Sequence, residues 1–337
     1  MLRFLNKCFL FFLFPCCLYA QTGESVYQFL ELPVSSIAAG SGGNSVASPE
    51  SDLNLAFHNP ALLSPEMHNQ IEFGYMNYIA DINAGSIAYS RTINQNSQWM
   101  AGIRYIDYGS MPWTSEEDEL LGMTYAKDLA LTGAYSWKLS EKWRAGSSIS
   151  LVYSVLDEYV SAAISVDLGV FYCSDDSLFS AGLTIKHLGS QIVSYNDQYE
   201  SMPWDIRIGI SKKLTHAPFR FNLTAQHLNA RSFSYLDDAT TAETETSGLK
   251  KIAGEVFSRL IAGVDFIPSN NFMLNLGYNY KRSSQLGINQ RTFFGGFSTG
   301  VMLRVKKMKV GASFARYHIG GNSLQMTLSL TPSIFGL

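Results

Sequence analysis

Between residues 71 and 332 the chain alternates apolar and polar residues with a period of two, and this pattern restricts the fold more than any other feature. A period of two places successive side chains on opposite faces of a β-strand. The last such segment contains Ser323, Leu324, Gln325, Met326, Thr327, Leu328, Ser329 and Leu330. Fourteen segments are strand candidates, at 71–79, 82–93, 97–108, 122–139, 143–157, 159–173, 177–189, 203–213, 218–231, 251–267, 271–282, 292–304, 308–318 and 322–331.

The connections between these segments alternate in length. The long ones, 109–121, 190–202, 232–250 and 283–291, all follow odd-numbered segments, and the even-numbered connections are short turns. Bacterial transmembrane barrels have short periplasmic turns and longer outer loops. The sequence therefore predicts an all-β fold, a transmembrane antiparallel β-barrel of about 14 strands. A soluble all-β sandwich shares the alternation but does not explain so many fully apolar strand faces.

The N-terminus and the composition fit an exported membrane protein. Arg3 and Lys7 precede an apolar stretch that ends at Ala20, so residues 1–20 are predicted to be a signal peptide. A lipoprotein with Cys16 or Cys17 acylated is the alternative, which the bulky preceding residues disfavour. Charged residues make up only 16% of the chain, against about 25% in soluble domains. The expected location is the outer membrane of a Gram-negative bacterium.

Residues 21–70 differ in character from the rest and are rich in Gly and Ser, so they are predicted to form a hatch of short helices and loops inside the barrel 71–337. Within the hatch, Gly42 and Gly43 and the turn Asn59-Pro60-Ala61 are the expected structural motif. We expect this turn to pack against the polar inner faces of two strands. Those faces contain Arg220, Asn222, Thr224, Asn275 and Asn279.

No pattern of catalytic or metal-binding residues stands out. The six histidines lack metal-type spacing, and Cys173 is the single cysteine beyond the signal peptide. The expectation is a protein that is not an enzyme and has no cofactor and no metal site. A net charge of -3 gives no basic field to attract nucleic acid.

The long connections are candidates for partner docking, because each contains aromatic residues among charges. The candidate docking residues are Trp113, Tyr195, Tyr199, Phe233 and Tyr235. Two of these connections are also acidic, which favours a solvated loop over a docking surface or a loose Ca²⁺ site.

Several segments of the chain resemble a known family. Phe29–Pro33, Gly42-Gly43, Asp52–Leu55 and Asn59–Ala61, in this order, resemble the N-terminal signature of FadL-like outer-membrane barrels. They resemble more closely the PorV/PorQ family found with the type IX secretion system. Residues 77–83, 105–109 and 212–220 are similar to the PorQ branch of that family.

The resemblance implies a fourteen-stranded barrel with an N-terminal plug and no enzymatic activity. It further implies a component of the type IX secretion attachment complex, which anchors a PorZ-like surface protein alongside a PorU-like sortase and a PorV-like shuttle barrel. That complex processes cargo and links it to lipopolysaccharide. The alternative is a FadL-type channel for hydrophobic small molecules. An obstructed lumen would favour the anchor, and an apolar tunnel leading to a gap in the wall would favour the channel.

Overall fold

The computed structural model of the protein describes residues 25–115, 120–229, 254–286, 295–318 and 321–331. The predicted signal peptide and the predicted connection 232–250 lie outside these ranges. No helix within them is long and apolar enough to cross a membrane.

The strands are numbered in chain order. They are β1 (Gln70–Ile79), β2 (Ile82–Asn94), β3 (Ser97–Thr114), β4 (Leu120–Lys138), β5 (Trp143–Leu156), β6 (Tyr159–Cys173), β7 (Phe179–Val193), β8 (Asp205–Lys213), β9 (Phe219–Ala225), β10 (Leu260–Ser269), β11 (Phe272–Asn279), β12 (Phe297–Val305), β13 (Met308–His318) and β14 (Gly321–Leu330). The helices are 3₁₀ turns at Gln28–Glu31, Leu53–Phe57, Pro60–Leu62 and Pro65–Met67, with α1 (Ser36–Gly40) and α2 (Tyr280–Leu286).

The strands form one closed barrel. Each strand pairs antiparallel with its neighbour in sequence, and β14 pairs with β1, with Leu330 opposite Ile71 and Leu324 opposite Asn77. Closure satisfies the backbone hydrogen bonds of both end strands, which a wall in contact with lipid requires. The predicted antiparallel barrel of fourteen strands is confirmed. Two predicted strand segments extend too far at their outer ends, because β9 ends at Ala225 and β10 begins at Leu260.

The predicted alternation of faces is confirmed. In β9, Phe219, Phe221 and Leu223 are exposed on the outside of the wall, while Arg220 and Thr224 are buried inside it. The strands β7, β11 and β14 follow the predicted pattern in the same way. An apolar outer face belongs against hydrocarbon, and the polar inner face lines the lumen.

The predicted outer loop 109–121 is wrong, since most of it is strand. Gly109 adopts a positive φ of 74° and donates its N–H to Oδ1 of Asp107 at 2.9 Å, which forms a bulge in β3. Pairing with β4 resumes at Ser110, opposite Tyr125. The bulge reverses the side-chain alternation and allows the hairpin to continue.

The extra pairs extend the hairpin, and we call its described residues, 110–115 and 120–125, the outer hairpin. The neighbouring strands stop below it, because β2 pairs with β3 only as far as Asp107 and β5 pairs with β4 only as far as Ala126. The predicted loop 190–202 is also shorter than expected, because β7 extends to Val193. Part of the predicted connection 283–291 is helical, since α2 ends at Leu286.

Residues 25–69 fill the lumen, and the expected hatch of short helices and loops is part of the fold. Its apolar side chains form three clusters with inward-facing residues of the wall. The contacts join Phe29 and Leu30 to Ile106, Phe57 to Met100, and Leu62 to Phe171. Each cluster is small because most inward-facing wall residues are polar, so polar contacts must hold the rest of the hatch.

Inward-facing glycines let the hatch backbone approach the wall closely. Gly182 of β7 faces Val46, and a Cβ at Gly182 would lie 1.9 Å from the Val46 carbonyl oxygen. A Cβ at Gly169 of β6 would lie 2.0 Å from Oδ1 of Asn59. Neither position has room for any side chain, so the wall and the hatch fit together through these residues.

We predict that Gly182→Val loosens the hatch and lowers the temperature at which the barrel unfolds. The added atoms would overlap the backbone at Val46, and overpacking costs about 1–3 kcal/mol or more. Heat-modifiable migration on a gel measures the temperature at which half of the barrel is unfolded, which is the unfolding midpoint. Gly133→Val is the matched control, because a Cβ at Gly133 meets only Ile149 Cγ2 at 4.0 Å on the outer face. Equal midpoints for the two variants would contradict the prediction.

Candidate functional site

The hatch separates two cavities in the lumen. The outer cavity, of about 300 Å³, lies at the end where the odd-numbered connections cluster, and its floor is the hatch segment 28–33. The inner cavity, of about 360 Å³, lies at the opposite end beside hatch residues 48–51. A solute that crosses the barrel must therefore pass the hatch between them.

Charged side chains of the wall hold the hatch between the two cavities. Lys186 of β7 is buried, and its Nζ lies 2.6 Å from Oδ2 of Asp167 on β6. The same Nζ donates to the carbonyl oxygen of hatch residue Phe57 at 2.5 Å. Ser148 also donates to Asp167, at 3.1 Å. A wall ion pair thus ties down the backbone at the end of the Leu53–Phe57 turn.

A second group of charges binds the hatch at Glu31. Arg207 of β8 is 2% exposed; it pairs with Glu31 and, through Nε, with Oδ2 of Asp205 at 2.6 Å. Its Nη1 donates to Oδ1 of hatch residue Asn44 at 2.8 Å. We call Glu31, Asp167, Lys186, Asp205 and Arg207 the lumen network. Within it, one arginine joins two separate parts of the hatch to the wall.

His187 connects the two halves of this network. It lies at a register shift between β6 and β7, with a positive φ of 55°, and its backbone N–H donates to Oδ1 of Asp167 at 2.7 Å. Its Nε2 lies 3.4 Å from Oε1 of Glu31. A left-handed conformation is strained for a residue with a Cβ. The strain is tolerated because the bulge directs both the backbone and the imidazole into the network.

The network sets the ionisation of the hatch residues. Burial opposes the ionisation of Glu31, but the Arg207 guanidinium more than offsets it, so the pKa of Glu31 lies well below its usual 4.5. Burial lowers the pKa of His58, and the charges of Lys186 and Arg207 lower it further. His58 is therefore neutral at neutral pH. Its Nδ1 lies 3.1 Å from Oδ1 of Asn44, which assigns the proton to Nδ1.

Among the described residues, Glu31, Asp205 and His227 form the one group with the spacing of metal ligands. Both carboxylates already pair with Arg207, and the charge of Lys281 acts on both as well. Two positive charges offset the two negative ones, so the group has no net negative charge to attract a divalent cation. The arrangement favours an ion-pair network over a metal site.

The turn at Asn59, Pro60 and Ala61 is buried in the hatch, as expected. Asn59 accepts the N–H of Ala61 at 3.0 Å and donates to the carbonyl oxygen of Val46 at 2.9 Å. The expected contact surface of this turn is wrong, because the turn packs against β4, β5 and β6 and not against β9 and β11. Gly146 of β5, whose Cβ would lie 2.5 Å from the Ala61 nitrogen, provides the space.

The wall that was expected to face Asn59 binds other parts of the hatch instead. Arg220 pairs with Glu50 at 2.8 Å and with Asp265 of β10 at 2.8 Å. Asn279 donates to the carbonyl oxygen of Gly42 at 3.2 Å. Gly42 and Gly43 have φ values of 110° and 113°, a conformation that only glycine adopts readily. They turn the chain from α1 towards Asn44.

The candidate docking residues that the structure describes differ in exposure. Trp113 lies in the outer hairpin and is 61% exposed, and Tyr199 is 66% exposed in the connection after β7. Tyr195 is half-buried and donates to Oγ of Ser154 on the inner side of the wall. Phe233 and Tyr235 lie outside the described residues.

The ion pairs that hold the hatch are not predicted by the sequence patterns. Carboxylates in the middle of strands, at Asp167 and Asp265, were the available signal, because a charge on a strand that crosses a membrane requires a partner. The alternation does place Lys186 and Arg220 on the inner face. The sequence does not show which residues form each ion pair, because the two partners lie far apart in the chain.

The fold is similar to that of solved outer-membrane transporters. The Pseudomonas putida toluene transporter TodX aligns with a TM-score of 0.54 at 11% identity, over 88% of this chain and 97% of TodX. The Ralstonia pickettii toluene transporter TbuX aligns with a TM-score of 0.51 at 12% identity, over 89% of this chain and 97% of TbuX. No protein-family model matches the chain, and neither does any curated protein. The FadL-like fold is confirmed, and the finer resemblance to the PorV/PorQ family stays a prediction.

We predict that acid weakens the attachment of the hatch. A carboxylate with a lowered pKa stabilises the folded state above its ordinary pKa, and this contribution is lost as the pH falls through the lowered value. The temperature at which the wild type unfolds should therefore decrease once the pH is below about 4.5. Glu31→Gln should already be less stable at pH 7, by about 1.5–3 kcal/mol, and should change less on acidification.

Heat-modifiable migration at a series of pH values measures this effect. Glu158→Gln, at an exposed turn on the same end of the barrel, is the matched control and should behave as the wild type. A Glu31→Gln variant with the full pH dependence of the wild type would show that another group is responsible.

Proposed function

We propose that this protein is a FadL-type outer-membrane channel for small hydrophobic molecules, in a Gram-negative bacterium, and that the hatch gates it. The observation that carries the proposal is the cavity at each mouth of the barrel, with the hatch between them. Solved barrels of similar fold, TodX and TbuX, are toluene transporters. Passage through this chain requires the hatch to move, because the described wall is closed by continuous strand pairing.

The outer cavity has the size and lining of a small-molecule site. Its volume of about 300 Å³ is at the lower end of the range for ligand pockets, about 300–1,000 Å³. Apolar and aromatic side chains form part of its lining, together with polar and charged ones. The apolar members include Phe29, Leu32, Ile82, Ile106 and Tyr108. A monoaromatic solute would lie in direct contact with the hatch.

The contacts of the first hatch segment suit a gate. Glu31 pairs the segment with Arg207, and the backbone of Tyr27, four residues earlier, has a left-handed φ of 57°. That conformation costs roughly 1–2 kcal/mol for a residue other than glycine. Separating Glu31 from Arg207 would remove the ion pair that holds this segment while β8 keeps the Arg207–Asp205 pair, and the hydrogen bond from Arg104 to the Leu30 carbonyl oxygen would remain to be broken.

Uptake by intact cells tests the channel. Cells that express the protein should accumulate radiolabelled toluene several-fold faster than cells without it, because lipopolysaccharide slows the entry of hydrophobic solutes. Glu31→Gln should raise the rate further, and Glu158→Gln should match the wild type. Equal rates in cells with and without the protein, for the wild type and for Glu31→Gln, would rule out the channel.

A second candidate function is a surface anchor. It is supported by the filled lumen and by the outer hairpin, where Trp113, Leu121 and Met123 are all about half exposed or more. Exposed aromatic and methionine side chains are typical of interface centres. In the finer form that the sequence resemblance implies, the barrel would hold a PorZ-like protein in the type IX attachment complex, with PorU-like and PorV-like partners and lipopolysaccharide. The similarity to TodX and TbuX favours the channel over this anchor.

Removal of the outer hairpin tests the anchor. Replacing residues 111–124 with Asn-Gly would join Ser110 and Tyr125, which are paired directly, through a two-residue turn. Because no wall strand pairs with the hairpin, the unfolding midpoint should stay unchanged. If the hairpin holds a surface partner, immunoblots should then detect that partner in the medium and no longer in the cell fraction. Retention of that partner by the shortened barrel would exclude the hairpin as its anchor.

A further inference from the structure

The inner cavity contains more positive than negative side chains. Four cationic residues line it, Arg144, Lys213, Arg220 and Arg304, together with the two carboxylates Glu50 and Glu66. Asp265 lies behind Arg220 and offsets one more charge. The local excess of positive charge contrasts with the net charge of -3 of the whole chain.

Three of these cations lack a carboxylate partner. Arg220 is paired with Glu50 and Asp265. In contrast, Arg144, Lys213 and Arg304 form no ion pair within the part of the chain that the structure describes. Arg144 lies over the ring of Phe171, with 5.1 Å from its guanidinium carbon to the ring centre. Unpaired guanidinium and ammonium groups around one cavity attract an anion.

A buried hydroxyl adds a second, independent sign of a ligand. Ser48 lines the inner cavity and is only 4% exposed, yet its Oγ has no hydrogen-bond partner. Nε of Arg304 is buried without a partner as well. Buried polar groups are normally satisfied, so these two are donors available to a bound molecule.

The rest of the lining combines polar residues with six apolar side chains, and the apolar side chains distinguish an organic anion from an inorganic one. The apolar side chains are Leu62, Phe171, Ile267, Phe272, Met273 and Met302. Free phosphate would leave these surfaces without contacts. A molecule with a carboxylate at one end and an apolar body at the other would use both parts of the cavity, since arginine binds carboxylates through two parallel hydrogen bonds.

We propose that the inner cavity binds small organic acids with an apolar body, through Arg144, Lys213 and Arg304. Such a site deepens the proposed channel function, on which its role in transport rests: solutes that pass the hatch would include organic acids, held at the inner mouth before release. Binding itself does not depend on transport.

Calorimetry on the purified barrel in detergent tests the site, with benzoate as the probe. Benzyl alcohol replaces the carboxylate with a neutral group, and inorganic phosphate lacks the apolar body. Benzoate should bind at least tenfold more tightly than either. Lys213→Gln and Arg304→Gln should each weaken benzoate binding by about tenfold or more, since each removes a charge-assisted hydrogen bond.

Matched variants separate binding from folding. Arg91→Gln removes a cation from the outer face of β2 near the same end of the barrel and should bind benzoate as the wild type does. Lys213→Arg keeps the charge and should regain the benzoate binding that Lys213→Gln loses. Heat-modifiable migration confirms that each variant is folded. Equal affinity for benzoate and benzyl alcohol, unchanged affinity in both Gln variants, or phosphate binding as tight as benzoate binding would each overturn the proposal.

The two proposals fail separately. Toluene uptake by cells without benzoate binding by the purified barrel would refute the acid site and leave the channel standing. Benzoate binding without toluene uptake would support the acid site and refute the channel.

Discussion

The structure depends on the need to pair charges inside a closed barrel. Arg207 is almost fully buried, and water can reach neither it nor Asp205 freely, so both require fixed partners. Glu31 and Asn44 of the hatch provide them from two points far apart in the hatch sequence. Because a buried charge without a partner is costly, the wall specifies where the hatch must lie. The small apolar clusters could not fix its position alone.

The same contacts explain how a hatch can be both firm and releasable. The charge-assisted hydrogen bonds within these ion pairs are short-ranged and directional, so they hold one position well and weaken strongly on a small displacement. Glycines such as Gly146 and Gly182 bring backbone against backbone without interlocking side chains. A hatch held by an extensive apolar core would need to expose that core in order to move. This hatch needs to exchange partners, and a charged solute or a proton can supply them.

The sequence predicted the wall far better than the hatch contacts. Alternation is a local property, and it identified all fourteen strands and the inward direction of Arg220 and Lys186. It failed at Gly109, where a bulge continues β3 to Thr114. There the apolar residues belong to a hairpin beyond the wall and no longer report the lipid face. The partners of Asn59 could not be predicted, because they depend on which wall glycines meet the turn in three dimensions.

Because the wall binds the hatch through charged side chains, positive charges face the lumen. These charges affect which solutes the lumen can hold. The lumen network places Lys186 and Arg207 beside carboxylates, and the inner cavity adds Arg144, Lys213 and Arg304, which outnumber its carboxylates and form no ion pair with a described residue. A solute that displaces the hatch exposes the cations that the hatch had satisfied. A neutral hydrocarbon leaves them unpaired at that moment, whereas a carboxylate replaces Glu31 as their partner. In the proposed channel, the side chains that close the barrel would therefore also lower the free energy of the open state most for an organic acid.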